Sequence, residues 1–152
     1  MPSVYLGHPV YPAMRAVRAV LEEVQQHVGC DWTKRLQGAC ATGALLLDSV
    51  LPRAQAIRGA YTPMGQWKPQ AHCWVHYGRC ILDVTSTQFD DFPNTPLLIL
   101  PRNNPTVKYL YTPTGGAEDV EEMEMWGSSR GAMERRLLKR VRHYMLHPPD
   151  QE

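Results

Sequence analysis

Three residues that lie far apart in the chain have side chains that together can perform nucleophilic chemistry: Cys40, His72 and Asp83. Cys40 follows a glycine-containing loop and begins an apolar segment, residues 40–51, that is predicted to be a helix. The start of a helix favours a thiolate over a thiol, and its free N–H groups can bind an oxyanion. The sequence therefore predicts a reactive thiol at position 40, whereas an inert cysteine in the core is the alternative.

His72 and Asp83 are predicted to meet across a hairpin. The strands expected at residues 71–77 and 80–85 would pair through a two-residue turn at Tyr77-Gly78, which places His72 opposite Asp83. Side chains alternate between the two faces of a strand, and opposed Cβ atoms lie roughly 4.5–5.5 Å apart. The face expected to pack on the core carries Cys73, Val75, Cys80 and Leu82, and the other carries His72, Trp74, Ile81 and Asp83. A carboxylate bound to one ring nitrogen leaves the other nitrogen to face a thiol.

The rest of the chain must supply the elements that position these three residues. Helices are predicted at residues 12–28 and 129–147, a strand at Gln55–Tyr61, a loop at 62–69, a short buried run at 97–100, and a further strand at 107–111. Two helices, several strands and a closing helix, in that order, predict an α+β fold.

Composition excludes several classes of protein. With 152 residues, 43% of them hydrophobic, the chain is expected to form one domain, and a net charge of +1 offers no electrostatic reason to bind nucleic acid or an anionic membrane. The N-terminal residues contain no apolar run of signal-peptide length, and no apolar run is long enough to cross a bilayer. We therefore expect a cytoplasmic protein whose four cysteines are reduced.

Three short motifs resemble one known family. They are Gly38-x-Cys40 before an apolar helix, His72-x-Trp74-Val75, and Leu82-Asp83-x-Thr85-x-x-Gln88-Phe89. In this order they resemble the transglutaminase-like branch of the papain-like cysteine enzymes, in particular its small bacterial members. The resemblance implies one transglutaminase-like domain over residues 1–152, with the helix that bears the nucleophile packed on a small antiparallel sheet.

The resemblance also implies an activity and roles for residues. Cys40 would be the nucleophile, His72 the general base and acid, and Asp83 the group that orients His72. The implied enzyme is a thiol protease that needs no cofactor or metal and acts on a peptide or protein through a thioester. Protein glutamine deamidation or transglutamination is the alternative. The expected oxyanion donors are Gln37 and Cys40, and the residues expected to line the substrate cleft are Trp67, Trp74 and Gln88.

Two further interpretations remain open from the residues alone. His72, Cys73, His76 and Cys80 have side chains that bind zinc, although His72 and Cys73 point to opposite faces of one strand. The closing helix carries a cluster of basic residues and is a candidate surface for a partner protein, which would suit an inactive interaction module.

Overall fold

The computed structural model describes residues 9–28, 39–121 and 130–149. Its helices are α1 (Tyr11–Val28), α2 (Cys40–Val50), α3 (Pro105–Leu110), α4 (Ala117–Glu121) and α5 (Arg130–Leu146). Its strands are β1 (Gln55–Tyr61), β2 (Gln70–Tyr77), β3 (Cys80–Asp83), β4 (Leu98–Pro101) and β5 (Tyr111–Gly115), and a short 3-10 turn spans Ser86–Gln88. The α+β expectation is confirmed. The predicted start of the closing helix at Ser129 lies outside the described residues.

The strands form one antiparallel sheet in the order β4-β3-β2-β1-β5. Helices α1, α2 and α5 contact one another, and α2 packs on β1 and β2. Their apolar side chains and those of the sheet form the main core, which we call the helical face. The opposite side of the sheet carries an aromatic cluster, the aromatic face, whose rings include Tyr61, Trp74, Phe89, Phe92 and Tyr111.

The two helices at the start of the described chain follow the apolar pattern of the sequence. In α1 the stripe that includes Met14, Val17 and Leu21 is fully buried. In α2 every residue from Cys40 to Leu47 is buried. Gly43 allows this close packing, because a Cβ atom there would lie 3.1 Å from side-chain atoms of both Leu21 and Val84. Gly43 thus lets α2 approach α1 and the segment that follows β3.

The predicted register of the β2–β3 hairpin is wrong by two residues. Tyr77 pairs with Cys80 and Val75 pairs with Leu82, so the turn is Gly78-Arg79 instead of Tyr77-Gly78. Gly78 has a φ of +59°, a conformation that costs glycine nothing and that tyrosine rarely adopts. A shift of two residues leaves every side chain on its predicted face. His72 is therefore a diagonal neighbour of Asp83 and does not lie directly opposite it.

The predicted strand at residues 107–111 is also wrong. This segment forms the end of α3, and β5 begins only at Tyr111. The Asn104 side chain caps α3 by accepting hydrogen bonds from the N–H groups of Thr106 at 2.9 Å and Val107 at 3.3 Å. Pro105 then occupies the first turn, where its missing N–H carries no cost. These local start signals outweigh the β-branched and aromatic residues that suggested a strand.

Candidate active site

The three predicted residues come from three neighbouring elements. Cys40 is the first residue of α2, His72 lies in β2, and Asp83 ends β3. His72 and Asp83 are completely buried and Cys40 is 8% exposed. Packing of α2 against β2 brings the start of the helix to the strand that carries His72.

Asp83 binds His72 and is itself held by further donors. His72 donates from Nε2 to Asp83 Oδ2 over 2.8 Å, and the Tyr111 hydroxyl donates to the same oxygen over 2.8 Å. The N–H of Thr85 donates to Asp83 Oδ1 over 2.9 Å. Burial by itself would raise the pKa of Asp83, but the charge and hydrogen bond of His72, helped by Thr85 and Tyr111, lower it below its ordinary value. Asp83 is therefore an ionised carboxylate inside the protein.

The His72 ring is oriented and enclosed by its neighbours. Its centroid lies 4.7 Å from that of Phe89 and 5.9 Å from that of Trp74. Burial would lower the pKa of His72, but the charge and hydrogen bond of Asp83, followed by contact with Cys40, raise that pKa to about 10. Since Asp83 occupies Nε2, the nitrogen that can exchange a proton with a thiol is Nδ1.

Cys40 is a thiol that favours its ionised form. A hydrogen bond from the Cys73 side chain makes the largest contribution, burial opposes it, and the hydrogen bond and charge of His72 add to it, so that the pKa of Cys40 falls to about 4. The pKa of the Cys73 thiol is raised, first by its hydrogen bond to Cys40 and then by burial. The site thus resembles a thiolate–imidazolium pair with a second thiol as hydrogen-bond donor.

Gln88 lies at the reacting side of the imidazole. Its Nε2 atom is 3.3 Å from Nδ1 of His72 and donates to the carbonyl oxygen of Thr85 over 3.1 Å. An amide nitrogen can donate to Nδ1 only when that nitrogen carries no proton. The Gln88 contact therefore suits the neutral form of His72, and the amide must release Nδ1 when His72 is protonated.

The other predicted site residues fall in different places. Trp67 is 88% exposed in the loop at residues 62–69, where a bound molecule can reach it. Trp74, which was predicted to line a substrate cleft, is 1% exposed and packs within the aromatic face. The Trp74 ring covers Gly59, where a Cβ atom would lie 2.5 Å from it. Gln37, the predicted side-chain oxyanion donor, lies outside the described residues.

Two positioning residues were not found from the sequence. Tyr111 reaches Asp83 because β5 pairs with β1 at the far edge of the sheet, and no motif spacing indicates this contact. Arg18 is a buried arginine of α1 that donates to the carbonyl oxygen of Val84 over 2.9 Å and to Thr87 Oγ1 over 3.0 Å. The sequence contained one signal for the contacts of Arg18, namely that this arginine lies within the apolar stripe of a predicted helix.

No group of three His, Cys, Asp or Glu side chains in the described parts of the chain is placed to hold a metal ion. The zinc interpretation therefore has no support among the described residues. Cys40, Cys73 and Cys80 are in the reduced form, and the Cys73 side chain is hydrogen-bonded to Cys40. None of the described helices is long and apolar enough to span a membrane.

Comparisons with protein-family models, with curated proteins and with solved structures find no match. What this protein does must therefore be inferred from the chemistry of Cys40, His72 and Asp83.

Proposed function

We propose that this chain is a cysteine peptidase of transglutaminase-like type, with a papain-like core, that cleaves an amide bond through a thioester. One observation carries the proposal. His72 is bound through Nε2 to the buried Asp83 carboxylate and contacts the thiol of Cys40, which begins a helix. The nucleophile thus contacts its base, and the base contacts the carboxylate that orients it.

The reaction begins with attack of the Cys40 thiolate on the carbonyl carbon of the substrate. A C–S bond forms and the carbonyl electron pair moves onto oxygen, where the N–H groups at the start of α2 stabilise the negative charge. The C–N bond then breaks, and His72 gives the proton on Nδ1 to the departing amine. A water molecule, deprotonated by neutral His72, attacks the thioester, releases the carboxylic acid and restores Cys40.

A polypeptide substrate is favoured by the exposed loop that precedes β2. Trp67 and Met64 in this loop are 88% and 55% exposed, and both provide apolar surface for an extended chain. The Tyr109 hydroxyl donates to the carbonyl oxygen of Gln66 over 2.7 Å and ties the loop to α3. Glutamine deamidation would use the same thioester but release ammonia in place of a new peptide amine.

The first test is site-resolved alkylation with iodoacetamide, read by peptide mass spectrometry. At about pH 6 we expect Cys40 to react at least about tenfold faster than Cys73 or Cys80, because its pKa of about 4 makes it a thiolate there. His72→Ala should abolish this advantage. His76→Ala is the matched control, since His76 lies on the same strand two residues beyond Trp74, whose ring its own ring contacts.

Equal alkylation of Cys40 and Cys80 in the folded protein would refute a catalytic thiol. If Cys40 is reactive, digestion of a mixed peptide pool with wild type and Cys40→Ser identifies the reaction. New peptide termini that require Cys40 are expected. Release of ammonia from glutamine-containing peptides without new termini would instead identify a deamidase.

A further inference from the structure

A second concave site lies on the aromatic face of the sheet. It is a cavity of about 300 Å³, and its walls include His76, Ile81, Arg102, Val107, Lys108 and Tyr111. Trp74 separates it from the candidate active site, since the Trp74 ring lies 5.9 Å from His72 on one side and 6.3 Å from His76 on the other. The cavity therefore lies on the far side of Trp74 from His72, and Tyr111, which donates to Asp83, is the residue that the two sites share.

The charged side chains of this cavity are all basic. Arg102 and Lys108 contribute two positive charges, and no Asp or Glu is among the lining residues. Within the described segments, neither cation forms a salt bridge. Arg102 donates from Nη1 to the carbonyl oxygen of Gly78 over 2.9 Å, which anchors the side chain and leaves its other N–H groups available. The cavity thus has a positive potential that would attract an anion.

His76 adds a buried hydrogen-bonding group to the same wall. It is 8% exposed, it lines the cavity, and its ring centroid lies 6.3 Å from that of Trp74. Burial and then the charge of Arg102 lower the pKa of His76 to about 4, so the ring is neutral near pH 7 and has one N–H to donate. Because His76 lines the cavity, this N–H can donate to an acceptor bound there.

We propose that this cavity binds a small organic carboxylate. The carboxylate would accept hydrogen bonds from Arg102, Lys108 and His76, and its apolar body would cover Ile81 and Val107. A guanidinium group matches the planar geometry of a carboxylate, whereas inorganic phosphate would leave the apolar wall uncovered. This inference does not depend on the proposed function, because none of the three groups expected to bind the carboxylate belongs to the Cys40 site. Tyr111, whose hydroxyl donates to Asp83, forms only part of the cavity wall.

Benzoate and benzamide provide a matched pair of probes, since they share a shape and differ in charge. The measurement is the chemical shift of the His76 ring C–H in NMR spectra of the full chain. We expect saturable shifts with benzoate and at least about tenfold weaker binding of benzamide and of inorganic phosphate. Arg102→Gln and Lys108→Gln should each weaken benzoate binding severalfold. Arg136→Gln, which removes an exposed charge from α5, should leave it unchanged.

Several results would overturn the proposal. These are benzamide or phosphate binding as tightly as benzoate, the absence of any saturable His76 shift with benzoate, and unchanged binding in Lys108→Gln. Arg102→Gln removes the hydrogen bond to Gly78 and can disturb the hairpin. In that case the Lys108→Gln variant decides the question, because Lys108 is an exposed residue of α3 whose replacement should leave the fold intact.

Discussion

The Asp83 carboxylate depends on donors that come from three different parts of the chain. His72 and Tyr111 both donate to Oδ2, and the backbone of Thr85 donates to Oδ1. Removal of one donor leaves the buried carboxylate incompletely hydrogen-bonded, which lowers the free energy of unfolding by about 1–3 kcal/mol. Each donor to Asp83 therefore contributes to stability, and Tyr111 does so without touching the reacting atoms.

Tyr111→Phe tests this contribution with little change in volume. We expect the free energy of unfolding in urea to fall by about 1–3 kcal/mol, because the buried carboxylate loses a hydrogen bond. Tyr109→Phe is the matched control, since its hydroxyl also makes one hydrogen bond but the side chain is 49% exposed. Equal losses in the two variants would contradict the assigned role of Tyr111.

At the scale of secondary structure, Arg18 joins α1 to the segment that follows β3. Its guanidinium bonds the carbonyl of Val84 and the hydroxyl of Thr87, and it pairs with Glu22 one helical turn away. Asp83 immediately precedes this segment, and Gln88 ends its 3-10 turn. Asp83 and Gln88 both contact His72, and Arg18 holds the loop that joins them. Arg18 is therefore a positioning residue.

Arg18→Met should lower the free energy of unfolding by about 1.5–3 kcal/mol, because it leaves a buried carbonyl group without its charged donor. It should also slow the alkylation of Cys40 in protein that remains folded, a result that a purely stabilising residue would not produce. Arg15→Met on the same helix is the control, because the Arg15 guanidinium lies over the ring of Tyr11, with 5.3 Å between its Cζ atom and the ring centroid. A wild-type alkylation rate in Arg18→Met would contradict the positioning role.

At the scale of the whole molecule, the buried charges link stability to pH. The pKa of His72 rises from an ordinary 6.5 to about 10 on folding, so the folded state holds a proton that the unfolded state loses between these values. Its contribution is complete below about pH 6.5 and is lost as pH rises toward 10. Cys40 has the opposite dependence, since its pKa falls from 9.0 to about 4 and its contribution grows as pH rises. In the wild type the two contributions therefore oppose each other between about pH 6.5 and 9.0.

Cys40→Ala should reveal the contribution of His72. In this variant we expect the free energy of unfolding to decrease as pH rises above about 6.5, because the unfolded chain then binds fewer protons than the folded chain. Urea titrations at a series of pH values measure this slope. The double variant Cys40→Ala, His72→Gln is the control and should lack it. The same slope in both proteins would show that His72 is not the group responsible.

The sequence predicted the contact between His72 and Asp83 correctly, although it predicted the wrong register for the hairpin that carries them. The turn was placed one residue too early, yet His72 and Asp83 are hydrogen-bonded as expected. A shift of two residues preserves the faces of both strands, and diagonal neighbours remain within reach of long side chains. The α1 stripe and the three strands that begin at residues 55, 70 and 80 were likewise predictable, because each depends on local periodicity.

The sequence by itself determined the α+β class, the placement of Cys40 at a helix start and the pairing of His72 with Asp83. These features follow from periodicity, turn residues and alternation, all of which act over a few positions. Only the tertiary structure decided the contacts of Arg18 with Thr87 and of Tyr111 with Asp83, and the complete burial of Trp74. Such contacts join residues that are distant in sequence, and they depend on which strands pair and which helices pack.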